Sequence, residues 1–95
     1  GGKIPPSRLH ELGVVNRVTP KGESLNVALD LANQLNQRAP NALQSIKELI
    51  EHSTQIPLSD QFALEQQHFV SNLFNENGEI GIRAFLDKTK PRYLP

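Results

Sequence analysis

The chain has 95 residues, of which ten are basic and ten acidic, so its formal net charge is zero. A balanced charge gives no general attraction for nucleic acid or for an anionic membrane surface, and we expect neither as a partner. The absence of cysteine excludes a disulfide framework, thiolate metal ligands and a cysteine nucleophile. Size and composition therefore indicate at most one domain with a modest core, in a reducing compartment such as the cytoplasm.

The first twenty residues predict a short helix and then an extended segment. Pro5 and Pro6 fix φ angles near helical values, and a helix over SRLHEL, residues 7–12, would close in left-handed geometry at Gly13. The run VVNRV, residues 14–18, favours a β-strand. No second convincing strand follows, so this strand needs a pairing partner from outside the segment.

Two helices are predicted next, on either side of a proline. From Ser24 to Ala39 the apolar residues recur at spacings of three and four, which describes one stripe of a helix. Pro40 then fits the first position of a second helix, which residues 52–54 would end.

Two further helices complete the prediction. Ser59 is suited to be the N-cap of the third long helix, and the sequence NENG, residues 75–78, separates that helix from the last one, which Pro91 would end. The predicted fold class is therefore mainly all-α, with four helices preceded by a short N-terminal helix and strand. The sequence contains no methionine, and we expect it to be part of a longer polypeptide.

The polar residues do not form a recognisable catalytic or metal-binding pattern. The three histidines, His10, His52 and His68, fall on different elements without ligand spacing, so we expect no metal site. No serine has a base at a recognisable spacing, and a hydrolytic triad is not predicted. We expect no catalytic residue in this chain.

The aromatic and basic residues are the remaining candidates for a binding site. On composition alone, all four phenylalanines are predicted to lie in the core: Phe62, Phe69, Phe74 and Phe85. Four cations are concentrated near the C-terminus: Arg83, Lys88, Lys90 and Arg92. They could hold a phosphate group, or they could simply complement the helix end and aid solubility.

Three stretches of the chain resemble the C-terminal part of the enoyl-CoA hydratase/isomerase family, also called the crotonase family. KIPPSRLHELGVVNRVTP is similar to the family's short helix followed by an "LGLVNRVVP" strand. The helix pair around Ala39 and Pro40 resembles an "A…SP…A…K" region. FALEQQHFVSNLFNENGEIGIRAFLDKTKPRY resembles the family's "LE…LF…EG…AFLEKRKPRF" ending.

The resemblance implies a place for the chain in a larger enzyme. Family members bind acyl-CoA thioesters on a spiral core of β-β-α units, where two backbone amides stabilise an enolate-like oxyanion and acidic residues move protons or activate water. These groups would lie upstream of Gly1, so the chain alone should be inactive. Residues 1–20 would end the spiral core, and residues 21–95 would form a helical oligomerisation and lid domain.

The resemblance also implies a ligand contact. In the family, a Phe and a Lys near the C-terminus reach the adenine and phosphate end of coenzyme A, commonly across a subunit boundary, and they match Phe85 and Lys88. Coenzyme A would be part of the substrate, with no separate cofactor, and the parent would be a trimer or a dimer of trimers. Ile80 and Thr89 depart from the Glu and Arg that are usual there.

Two other functions remain open from the residues alone. The amphipathic helices could form a stand-alone protein-interaction module that binds no ligand. The basic tail could bind nucleic acid, although the zero net charge argues against it.

Overall fold

A computed structural model describes all 95 residues, and its regular secondary structure is entirely helical. Five helices follow one another: α1 Pro6–Glu11, α2 Ser24–Leu35, α3 Pro40–His52, α4 Leu58–Leu73 and α5 Glu76–Leu86. The chain divides into two compact units, Gly1–Gln34 and Leu35–Pro95. The predicted helical fold class is confirmed. The predicted division after residue 20, which concerns the place of the chain in a larger protein, stays a prediction.

The first unit begins with α1, which lies one residue earlier at each end than the predicted residues 7–12 but has the predicted proline start and glycine closure. Pro6 occupies the first turn, where the missing proline N–H costs no hydrogen bond. Gly13 has φ +75° beyond the C-terminal end. The Gly13 and Val14 amides donate to the carbonyl oxygens of His10 and Leu9, each at 2.9 Å. A left-handed residue with this pair of bonds is the Schellman motif, for which glycine is preferred.

The valine-rich segment after α1 is not a strand, so this part of the sequence prediction is wrong. The amides of Val14 and Val15 both donate to the carbonyl oxygen of Leu9, at 2.9 and 3.4 Å. In addition, His10 Nδ1 lies 3.1 Å from the Val15 carbonyl oxygen. β-branched residues form a strand only where another strand can pair with them, and here the end of α1 binds backbone groups of Val14 and Val15 instead.

The helices on either side of Pro40 end and begin where the proline requires. α2 ends at Leu35, earlier than the predicted Ala39, and the Arg38 amide closes a turn on the Leu35 carbonyl oxygen at 2.9 Å. Ala39 is extended, with ψ 119°, because the residue before a proline avoids the helical region. The prediction that Pro40 opens α3 is confirmed.

The start of α4 differs from the prediction. The helix begins at Leu58 with Pro57 as its N-cap residue, and no side chain caps it. Ser59 is therefore inside the first turn and is not the N-cap. Pro57 is fixed in φ and extended in ψ, which already gives the backbone geometry that precedes a helix.

The start of α5 lies very close to the last turn of α4. The Asn75 side chain caps α5 by accepting a hydrogen bond from the Asn77 amide at 2.9 Å. A Cβ atom at Gly78 would lie 2.5 Å from the carbonyl oxygens of both Asn72 and Leu73. Only glycine allows the start of α5 to approach the last turn of α4 this closely.

The apolar faces of the helices are mostly uncovered. α3 packs against α4 and α4 against α5, yet Ala84, at 8% exposure, is the one buried apolar side chain. Nineteen large apolar side chains are exposed, including all four phenylalanines that composition places in the core. That prediction is wrong for this chain, because α4 and α5 have apolar stripes but no further layer lies over them.

Candidate functional site

The last turn of α5 brings Phe85 and Lys88 to the point where the chain reverses. The Lys88 amide donates to the Phe85 carbonyl oxygen at 3.3 Å, and the Thr89 amide donates to that of Ala84 at 2.9 Å. This is a second Schellman motif, with Lys88 in the left-handed position. It ends α5 at Leu86 rather than at Pro91, where the sequence predicts the end.

Lys88 is the one non-glycine residue with a positive φ, at +54°. A side chain in this region costs about 1–2 kcal/mol relative to right-handed backbone. Such residues persist where the surrounding structure fixes them, and they are concentrated at functional sites.

The four cations near the C-terminus differ in their surroundings. Arg83 pairs with Glu79 at 2.6 Å and does not pair with Asp87, although both have the spacing for it. Lys90 Nζ donates to Gln37 Oε1 at 2.8 Å. Lys88 and Arg92 make no side-chain hydrogen bond or ion pair within the chain. The Lys88 ammonium group is therefore available to an external anion.

Phe85 presents an aromatic surface in the same turn. Its side chain is 82% exposed, and the neighbouring Leu86 is also exposed. An aromatic face suits a planar base such as adenine, and an ammonium group suits phosphate. The structure thus brings together the two residues that the family resemblance singles out, and both are exposed.

The residues after Lys88 form a strap that runs back along α5; we call residues 89–95 the C-terminal strap. A Cβ atom at Gly81 would lie 3.1 Å from the Tyr93 hydroxyl, so the Tyr93 ring lies against the helix there. Leu94 reaches Asn77, in the first turn of α5. A groove of about 640 Å³ lies between the strap and the helix.

A chain of polar side chains connects the strap with α3 and α4. Asn77 Nδ2 donates to Asn41 Oδ1 at 2.9 Å, and Asn41 Nδ2 donates to Asn72 Oδ1 at 2.6 Å. Asn72 Nδ2 donates in turn to Ser45 Oγ at 2.7 Å and to the His68 carbonyl oxygen at 2.8 Å. We call Asn41, Asn72 and Asn77 the asparagine chain. Sequence reasoning missed the asparagine chain because Asn41 is 31 residues from Asn72 and 36 residues from Asn77 along the polypeptide.

Ser45 and His68 lie close together, although their positions, 23 residues apart along the chain, form no recognisable catalytic spacing. His68 Nδ1 is 2.8 Å from Ser45 Oγ, and His68 Nε2 is 3.6 Å from Glu48 Oε2. The Ser45 hydroxyl also accepts the hydrogen bond from Asn72. It thus has polar partners on two sides and helps to join α3 to α4, which is a structural role.

No cluster of three or more His, Asp or Glu side chains has a metal-binding arrangement. No helix combines the length and apolar character needed to cross a bilayer.

Comparison with known proteins gives the class to which this fold and site belong. A crystal structure of an enoyl-CoA hydratase from a Polaromonas species superposes with a TM-score of 0.96 at 53% identity, over 99% of this chain and 37% of that one. The fold is thus that of a helical portion of the crotonase-fold proteins. The family model for enoyl-CoA hydratase/isomerase matches residues 1–94. The chain belongs to the enoyl-CoA hydratase/isomerase family.

Curated relatives agree in family and in extent. The 2,3-dehydroadipyl-CoA hydratase of Escherichia coli is 32% identical over 93 residues, which cover 98% of this chain and 36% of the relative. An enoyl-CoA hydratase of Mycobacterium tuberculosis is 28% identical over 93 residues, which cover 98% of this chain and 35% of the relative. The chain therefore spans about a third of the length of the relatives it matches.

Proposed function

We propose that this chain is the C-terminal helical domain of an enoyl-CoA hydratase/isomerase-like protein, in which it contributes to subunit packing and to part of the acyl-CoA pocket. The parent would add water to an enoyl-CoA or isomerise it. Support comes from the family membership and from relatives that are named as CoA-thioester hydratases and are about three times longer. The groups that perform the chemistry would belong to the rest of the parent.

Within this function, Phe85 and Lys88 bind coenzyme A. Phe85 gives the adenine ring an aromatic surface, and Lys88 gives a phosphate group a positive charge. Neither side chain takes part in bond making, so both act on affinity. The contact would lie across a subunit boundary, in a trimer or a dimer of trimers.

The observation that carries this assignment is the backbone conformation of Lys88. Glycine would fit the left-handed position better, as it does at Gly13 in the matching motif of α1. A lysine there is explained if its charge is needed at the turn. The free ammonium group and the exposed Phe85 ring in the same turn supply the two kinds of contact that coenzyme A requires.

The test is a titration with coenzyme A of this chain joined to the upstream core. Lys88→Ala should raise the Kd about tenfold, since one charge-assisted contact to phosphate is lost. Lys47→Ala, an exposed lysine of α3, is the matched control and should leave the Kd unchanged. Equal affinities for the two variants would reject the assigned contact.

The exposed apolar faces also favour a second function, a helical module that binds a protein and no ligand. Nineteen large apolar side chains are exposed, and those on α4 and α5 are ones that another chain could cover. The same titration separates the two, because a pure interaction module would show no amide shifts at Phe85 and Lys88 with the core present.

A further inference from the structure

Asn77 holds the backbone of the C-terminal strap in the way a neighbouring β-strand would. Its side chain is buried, at 6% exposure. Its Oδ1 accepts from the Leu94 amide at 2.7 Å, and its Nδ2 donates to the Leu94 carbonyl oxygen at 3.0 Å. The carbonyl and the amino group of the Asn77 side chain thus both bind Leu94, and the second N–H of Nδ2 donates to Asn41 Oδ1. Every polar atom of this side chain has a partner.

Two further contacts fix the strap. The Tyr93 ring lies against Gly81, where a Cβ atom would contact it, and the Lys90 ammonium group donates a hydrogen bond to the Gln37 side chain. Asn77 itself is held by Asn41, which belongs to α3. The strap is therefore tied to the helix before α4 as well as to α5.

These contacts define the conformation of Lys88. Asn77 and the end of α5 are roughly 14 Å apart along the helix axis, and the six residues that follow Lys88, residues 89–94, can span at most about 20 Å. The strap must therefore reverse within the residues that directly follow α5. Lys88 is the residue that reverses it, and the Thr89 amide is already bound to Ala84.

We infer that Asn77 is a positioning residue for Lys88: by clasping Leu94 it holds the strap, and the strap keeps Lys88 in the left-handed conformation that directs its ammonium group. The structural half of this inference, that Asn77 holds the strap and with it Lys88, rests on the hydrogen bonds of Asn77 to Leu94 and Asn41. Its consequence for ligand binding rests on the proposed function, in which Lys88 contacts coenzyme A.

The structural half is tested by NMR relaxation on the 95-residue chain. Asn77→Ala should lower the backbone order parameters of residues 93–95 below about 0.6, the range of flexible segments, while α3 and α4 stay ordered. Leu94→Pro removes the hydrogen bond from the Leu94 amide to Asn77 Oδ1 without changing a helix, and it should lower the order parameters of residues 93–95 as well, although the carbonyl oxygen of residue 94 still accepts from Asn77 Nδ2. Asn26→Ala, the same substitution at an exposed site of α2, should change nothing. An ordered strap in both Asn77→Ala and Leu94→Pro would overturn the inference.

The functional half is tested with coenzyme A and the chain joined to its upstream core. Loss of a fixed direction for one long side chain should raise the Kd about fivefold in Asn77→Ala. If Asn77 acts through Lys88, the double variant Asn77→Ala/Lys88→Ala should bind no more weakly than Lys88→Ala alone. Asn77→Asp, which keeps the acceptor for the Leu94 amide, should recover part of the affinity.

The outcomes separate this inference from the proposed function. A loss of affinity in Lys88→Ala without any loss in Asn77→Ala overturns the positioning role and leaves the ligand contact intact. Additive losses in the double variant overturn it as well. If Lys88→Ala itself binds normally, the proposed coenzyme A contact fails, and the role of Asn77 is then limited to what the order parameters show.

Discussion

Lys88 occupies, at the end of α5, the same backbone position that Gly13 occupies at the end of α1. Their φ angles are +54° and +75°, and in each motif the following residue donates to a carbonyl oxygen five residues earlier. Glycine adopts this conformation without steric cost, whereas lysine does not. The two motifs therefore provide an internal comparison of the same turn with and without a side chain.

The first prediction follows from this pair. Lys88→Gly should stabilise the chain by about 0.5–1 kcal/mol, because relief of the left-handed strain exceeds the added entropy of the unfolded chain. Gly13→Ala should destabilise it by about the same amount. Urea unfolding measures both, and Lys88→Ala, which keeps the strain, should stay within about 0.5 kcal/mol of the parent chain. Equal stability of Lys88→Gly and Lys88→Ala would show that relief of the strain does no more than offset the entropy that glycine adds to the unfolded chain, and would contradict the prediction.

The second prediction concerns the corner between α4 and α5. In a helix, Gly→Ala ordinarily stabilises by about 1 kcal/mol. Gly78→Ala should instead destabilise by about 1–3 kcal/mol, because the new Cβ would overlap the carbonyl oxygens of Asn72 and Leu73. Gly2→Ala, with nothing near its Cβ position, is the control for unfolding measurements. A stabilised Gly78→Ala variant would contradict the close approach of the two helices.

The third prediction concerns the asparagine chain. Asn72→Ala should cost about 1–2 kcal/mol, because Asn41 and Ser45 each lose a hydrogen-bond partner in a half-buried position. Gln44→Ala removes an exposed hydrogen bond to Glu48 and should stay within about 0.5 kcal/mol. Thermal unfolding of the two variants compares them directly. A cost for Asn72→Ala no larger than that for Gln44→Ala would mean that the network adds nothing to stability.

The fourth prediction is self-association of the isolated chain through its exposed apolar faces. Phe74 is 85% exposed, and Phe62 and Phe69 are also exposed. Sedimentation velocity at increasing concentration should show association that strengthens in sulfate, as expected for apolar contacts. Phe74→Ser should weaken it, and Lys47→Ala should not. A strictly monomeric profile at high concentration would oppose the prediction, and the assembly formed need not match that of the parent.

The fifth prediction is that the isolated chain does not hydrate a short enoyl-CoA. The reaction needs donors aligned on the thioester carbonyl oxygen and an acidic residue, and we place both outside this chain. Turnover would be followed by the loss of enoyl absorbance, with buffer alone as the reference. Activity above that background, retained on repurification, would show that the chain carries the essential groups.

Local sequence signals determined most of the helices of this protein. Pro6 and Pro40 fixed two helix starts, Gly13 fixed a helix end, and Asn75 fixed the cap of α5, because each acts through its own backbone geometry or its nearest neighbours. The family resemblance pointed to Phe85 and Lys88 for the same reason, since a short motif carries them.

Tertiary structure decided what depends on partners far along the chain. The valine segment, residues 14–18, has strand propensity but no strand to pair with, and its first two residues bond to the end of α1. The phenylalanines have core composition but no layer over them, so they are exposed. The hydrogen bonds of Asn77 to Leu94 join residues 17 positions apart, which no local pattern encodes. Propensity is a local property, whereas burial and pairing depend on which other surfaces are present.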